Sequence, residues 1–393
     1  VAAGGTVVIY NHHGAGYAEA LEINDDTWQK KHTRSHRDPV WSISLTAAQG
    51  NQPVIDASEQ GASGLAITGA TDTVTVTGLH IIAAADHAGI QSSGGILKLN
   101  NTTIENASVG VKITNGGHAE ITNSEITGNT TGLHVADGAT AEVYNSNLAS
   151  NTKAVQNNST TATVDASGNW WGTVIDSDIL AQTSPAVDFT PYLGSGTDGG
   201  TVGFVGDFSV LHVTPKGEQT AWVDDQTALE STHRIQEGIK LIPEEANKPQ
   251  VLIEPGMYSE SVTVPVDGLT IAGRSGTAAD VIVTPPADNG FTVTADNVTL
   301  EHLHIIGTAT TPSAILKSTG QGTLTLTDIT ANHAGTDAIV VQDAGIVRLD
   351  TVTTNKVISV TATGDIHVTR LVTTDDTNQA VSITSTSGSL LGS

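Results

Sequence analysis

The sequence predicts an all-β chain, a right-handed parallel β-helix, from three observations. A line of about twenty-two residues recurs, each line holds three short strand-like runs, and apolar residues alternate with polar ones inside the runs. The lines are GIQSSGGILKLNNTTIENASV from Gly89, GVKITNGGHAEITNSEITGNTT from Gly110, GLHVADGATAEVYNSNLASNTK from Gly132 and AVQNNSTTATVDASGNWWG from Ala154, with starts 21, 22 and 22 residues apart. A period near twenty with three β-branched runs is a solenoid pattern, and the runs are too short and of the wrong period for helices.

Within the runs, Val111, Ile113, Ile121 and Ile126, then Leu133, Val135, Val143 and Leu148, alternate with polar residues. Alternation gives each strand a core face and a water face. Side chains at equal places in successive coils would then stack about 4.8 Å apart. Asn101, Asn123 and Asn145 share one turn position, where stacked amides can hydrogen-bond along a ladder or simply form the turn. Either role is structural.

The bulk numbers narrow the partners. The chain has 393 residues and a net charge of −25, from 41 acidic against 16 basic residues. That balance argues against nucleic acid and against an anionic membrane surface. There is no cysteine and only 4% aromatic residues, which suits thin cores of small β-formers in a chain without disulfides. No run approaches the roughly 20 apolar residues of a membrane span, and no signal-peptide pattern is read in the opening residues. The sequence opens on strand-like residues at Val1 and stops in mid-pattern, so it reads as a segment of something longer.

Taken in order, Thr6–Tyr10 and Ala20–Ile23 are expected strands. Tyr17 and Glu19 correspond to Tyr258 and Glu260 of QVLIEPGMYSESVTV. Residues 72–82 align without a gap with 296–306, at an offset of 224 residues, so that Leu79, His80, Ile81 and Ile82 recur as Leu303, His304, Ile305 and Ile306. Two tandem copies of one β-helix domain follow. Residues 25–50 break the pattern and read as an insertion. Lys30, Lys31, Arg34 and Arg37 cluster there with His32 and His36, flanked by Trp28 and Trp41. A loop on a rigid scaffold is a usual place for function, so these eight residues are the candidate binding set, with the tryptophans as carbohydrate platforms. The same residues also suit a plain surface loop.

Trp170 and Trp171 in Gly-Asn-Trp-Trp-Gly are expected to cap the first stack, where an open coil end would expose core and strand edges. The Pro- and Gly-rich run 174–205 reads as a connector. The first domain is placed at 1–195, a connector with an entry strand near Phe208–Val213 at 196–225, and the second domain at 226–393. A helix over 226–242, ended by Pro243, is expected to cap the second domain. Its coils start at Gly290, Ala314, Ala338, Val357 and Ala380.

These coils, the Asn-Trp-Trp-Gly segment and the helix before VLIEPGMYSESVTV resemble right-handed parallel β-helix repeat proteins of the pectate-lyase-like superfamily. They are similar to tandem β-helix segments of very large secreted bacterial surface proteins of the adhesin type. The resemblance implies a non-catalytic structural or adhesive rod at the cell surface or outside the cell. Its partners would be neighbouring domains of the same protein, copies of itself or a surface polysaccharide.

β-Helix hosts lyases and hydrolases as readily, so a polysaccharide lyase or glycoside hydrolase with a divergent site is the alternative, and a carbohydrate-binding module using 25–50 is another. The Asn-Thr-Asp, Gly-His-Gly and Arg-x-Lys signatures of polygalacturonase-like hydrolases are missing, and the clean coils are expected to lack carboxylates facing each other. Arg348 and Arg370, near Asp350 and Asp365, are expected to form surface ion pairs. His12 and His13 with Asp25 and Asp26 are weak metal candidates. No cofactor is expected, beyond weak Ca2+ binding at Asp-rich turns.

Overall fold

The computed structural model describes residues 6–10, 17–24, 42–68, 73–217, 223–224, 227–228, 233–308, 310–335, 337–374 and 381–392. The short β-branched runs form strands, and successive coils pair in parallel, so the chain is a parallel β-helix. It divides into two compact units, 1–207 with 217–220, and 208–216 with 221–393.

In the first unit, one coil visits three sheets in turn. Thr73–Thr77, His80–Ile82 and Ala88–Ser93 are followed by Ile96–Asn100, Thr103–Glu105 and Val109–Thr114, and then by His118–Thr122, Glu125–Thr127 and Thr131–Val135. The register between coils is 22 residues, as in Lys98 opposite Glu120 and Glu120 opposite Glu142. The inward residues Leu97, Leu99, Ile121, Val143, Ile104, Ile126, Val111 and Leu133 are buried in one continuous core. Burial of that apolar column drives the fold, and the parallel ladders satisfy the backbone around it.

Between the first two sheets, every coil turns a corner through one left-handed residue. Gly78, Asn101, Asn123, Asn145 and Gly168 have φ of 74°, 48°, 51°, 47° and 68°. Asn is among the few side chains that tolerate this conformation, which explains its recurrence. The ladder is present at one step, where Asn145 Nδ2 donates to Asn123 Oδ1 at 2.7 Å.

Several expectations are corrected. Ser42–Ala47 is a regular strand between Thr6–Ile9 and Thr73–Thr77, so the pattern resumes within the expected insertion 25–50. Ile43 and Leu45 alternate with Ser and Thr there, which suits a half-buried strand. The stack does not stop at Trp170 and Trp171. Val164–Asp165 pairs onward with Val187–Asp188, and a helix missed in the sequence, Asp176–Gln182, lies between. Trp171 is inside the core, edge-on to Phe189 at 6.2 Å. Trp170 is covered by the chain itself, since a Cβ on Gly196 would stand 2.5 Å from its indole Nε1. From there the segment runs back along the Asn corner. Phe204 N donates to Asn123 O at 2.9 Å and Gly206 N to Asn145 Oδ1 at 2.8 Å. The first part of the expected connector is therefore built into the first unit.

In the second unit, the coil starts follow the register Phe291, Ile315, Ile339, Ile358 and Val381. The helix is Arg234–Lys240, shorter than the expected 226–242. Thr227–Ala228 instead pairs antiparallel with Val223–Asp224, and that pairing takes the backbone groups a longer helix would need. Ile235 and Ile239 are buried, and a Cβ on Gly238 would lie 2.9 Å from Val213 Cγ1, so the helix packs closely on the coil.

The corner residues of this unit are His302, Asp328 and Thr351, with φ of 56°, 48° and 55°. A β-branched residue is strained in the left-handed region. Thr351→Asn is therefore expected to raise the stability of the second unit by about 0.5–1 kcal/mol, read as a higher urea midpoint. A lower midpoint would show that the Thr351 hydroxyl bond to Asp350 outweighs the backbone relief.

Candidate functional site

The outward positions of the largest sheet in the first unit form columns across coils. One column reads Lys98, Glu120, Glu142, Asp165, Asp188. Beside it, His118 stands two residues before Glu120 on the same strand and opposite Thr140. Strand alternation turns His118 and Glu120 to the same face, and register places Glu142 directly across from Glu120. One ligand atom each from His118, Glu120 and Glu142 lies within 4.8 Å of the other two.

The surroundings orient these groups. His118 Nδ1 is 2.8 Å from the Thr140 hydroxyl, and its Nε2 faces Glu120 Oε1 at 4.0 Å. Lys98 Nζ donates to the other Glu120 oxygen at 2.6 Å. Desolvation pushes the Glu142 carboxyl above the usual carboxylate range, and the charges of Glu120 and Asp165 add to the rise against His118 and Lys98. Asp165 is held by the Ser167 hydroxyl at 2.7 Å. Carboxylates facing each other on neighbouring coils were not expected from the sequence, so that reading is corrected. The signal was there: Lys98, Glu120 and Glu142 are spaced by the coil period, but on outward positions rather than at turns.

A second polar group lies on the next sheet. His80 Nε2 is 3.0 Å from Glu105 Oε1. Burial pushes Glu125 upward, with Asp198 and Glu105 adding, against the Asn147 amide at 3.2 Å. The expected surface ion pairs of Arg348 and Arg370 with Asp350 and Asp365 do not form. Asp350 instead accepts from the Thr351 hydroxyl.

The candidate binding residues Trp28, Lys30, Lys31, His32, Arg34, His36, Arg37 and Trp41 lie outside the described residues. So do the metal candidates His12, His13, Asp25 and Asp26. The structural candidates Asn101, Asn123, Asn145, Trp170 and Trp171 are all described and all belong to the coil framework. The buried polar side chains that sequence reasoning missed are Asn129, Asn151 and Asn169. Asn129 accepts from Ala107 N and Asn151 from Asn129 N, at 3.0 and 2.9 Å. Asn169 completes a second internal column with Ser124 and Ser146, in which Ser124 Oγ accepts from Thr102 N, Ser146 Oγ from Ser124 N and Asn169 Oδ1 from Ser146 N, each from the coil before.

Residues 5–182 match a family model described as periplasmic copper-binding protein (NosD). No curated protein and no solved structure matches. The matched residues include His118, Glu120 and Glu142. That family is described as copper-binding, and the donor types of the matched segment limit which copper state they could hold. The chain has no Cys and a single Met, Met257, outside the match. The thiolate and thioether ligands preferred by copper(I) are therefore not available in the matched segment. One imidazole with two carboxylates suits copper(II) or zinc(II) instead. Among the described residues no helix is long and apolar enough to cross a membrane. The chain is a parallel β-helix with a pectate-lyase-like fold, similar over residues 5–182 to the family described as periplasmic copper-binding protein (NosD).

Proposed function

We propose that this chain is a non-catalytic structural solenoid working outside the cytoplasm, offering its regular faces for attachment or assembly. The observation that carries this reading is where the buried polar groups go. Ser124, Ser146, Asn129, Asn151 and Asn169 all bond the backbone of adjacent coils, which is coil-to-coil stapling. The similarity over residues 5–182 to a family described as periplasmic supports the compartment. Attachment partners would be neighbouring domains, further copies of the chain or surface polysaccharide.

One observation favours a second reading, a glycoside hydrolase. The Glu120 and Glu142 carboxylates lie within 4.8 Å, close to the roughly 5–5.5 Å of retaining enzymes. The Lys98 ammonium on Glu120 weighs against it, because it holds that carboxylate in an ion pair. A panel of acidic and neutral polysaccharides, read by reducing ends and by absorbance of unsaturated products, separates the two. No turnover is expected. Turnover abolished by Glu142→Gln would replace the structural reading with the hydrolase.

A further inference from the structure

We propose that His118, Glu120 and Glu142 form a binding site for a divalent transition metal of the copper(II) or zinc(II) class, on the outer face of the first unit's largest sheet. This goes beyond the structural reading and does not depend on it.

Three observations carry the proposal. The first is the donor set. One ring nitrogen and two carboxylate oxygens converge within 4.8 Å. Bonds of about 2.0–2.2 Å place two donors on one ion at most about 4.4 Å apart, so closing on a metal requires only a few tenths of an ångström from side chains at the surface.

The second is the orientation of His118. Its Nδ1 is engaged by the Thr140 hydroxyl at 2.8 Å, which leaves Nε2 towards the carboxylates. At 4.0 Å from Glu120 Oε1 that contact is too long for a hydrogen bond and of the length a shared ion spans. A ligating imidazole whose other nitrogen is fixed by a hydrogen bond is the usual arrangement of metal-bound histidine.

The third is charge. Around the site the column carries one ammonium, Lys98, against three carboxylates, Glu120, Glu142 and Asp165. Like charges directly opposite across strands repel. Lys98 serves Glu120, whereas Glu142 has no hydrogen-bond or ion-pair partner among the described residues. A dication between His118, Glu120 and Glu142 neutralises the column where it is least compensated. Both carboxylates come from neighbouring coils, so the ion would also bridge them.

The test is a titration of the chelator-treated full chain with copper(II) chloride, followed by calorimetry and electron paramagnetic resonance. One tight step of single stoichiometry is expected, with superhyperfine structure from one imidazole nitrogen. His118→Ala and Glu142→Gln should each weaken that step by about tenfold or more, with far-ultraviolet circular dichroism and melting unchanged without metal, since these side chains lie outside the core. Lys98→Met should tighten it, because the ammonium competing for Glu120 is removed. A tight step unchanged in His118→Ala, or no tight step in the unsubstituted chain, overturns the proposal. Loss of binding leaves the structural reading untouched, and polysaccharide turnover with binding intact overturns only that reading.

Discussion

Asn169→Ala is expected to lower the unfolding free energy of the first unit by about 2–4 kcal/mol, while Asn123→Ala costs about 1 kcal/mol. The two residues look alike in the sequence, as turn asparagines about two coil periods apart. Their environments differ. Asn169 is fully buried. Its Oδ1 accepts from Ser146 N at 2.8 Å, and its Nδ2 donates to Val143 O and Ala166 O at 2.7 Å and to Ser167 O at 3.1 Å. Alanine removes the partner of one buried N–H and of three carbonyls at once, and each orphaned group costs its desolvation. Asn123 is needed mainly for its positive φ, so alanine there brings only left-handed strain and one lost amide bond. Urea unfolding of the two variants checks the ranking. Equal losses, or a larger loss for Asn123→Ala, would show that the inner staple contributes little.

The second unit is expected to lose stability as pH rises, through Glu260. This carboxyl is fully buried beside the start of the helix Arg234–Lys240, where it accepts from Ile235 N and Gln236 N, both at 3.0 Å. Two effects oppose each other. Burial disfavours the charged form, while the helix donors and Arg234 favour it. Burial wins, and the carboxyl is pushed from 4.5 up to about 7. Between those values the folded state holds a proton that the unfolded state has released. The group's contribution is therefore complete below about 4.5 and lost as pH rises through about 7, a change of about 3 kcal/mol by linkage. Glu260→Gln, which does not titrate, is expected to flatten this part of the stability profile. Chemical unfolding at a series of pH values decides it, and parallel profiles for both proteins would sink the assignment.

The residues that resisted sequence reading share one property. Their meaning depends on which way a turn or strand aims them. Lys317 sits in a strand whose neighbours Leu316 and Ser318 read as ordinary alternation, yet it is fully buried, with its ammonium donating to Ala295 O at 2.7 Å and to Thr319 O. Burial lowers its pKa and Asp296 opposes that. No local pattern announces an inward lysine, because its partners come from the preceding coil and the adjoining turn. The fate of Trp170 was hidden for the same reason: Gly196, which covers its indole, returns from beyond a helix and two short strands.

The sequence by itself determined the parallel β-helix, its coil length and the inward residues, because period and alternation are local and a stacked ladder repeats them. It also marked the asparagine corners of the first unit, since few side chains tolerate positive φ, but not the corners at His302, Asp328 and Thr351. Only the tertiary structure decided which asparagines staple the core, how far the first stack continues past Trp171, and that His118 and Glu120 meet Glu142. Those outcomes depend on register between coils and on side-chain direction, which arise only when one coil lies on the next.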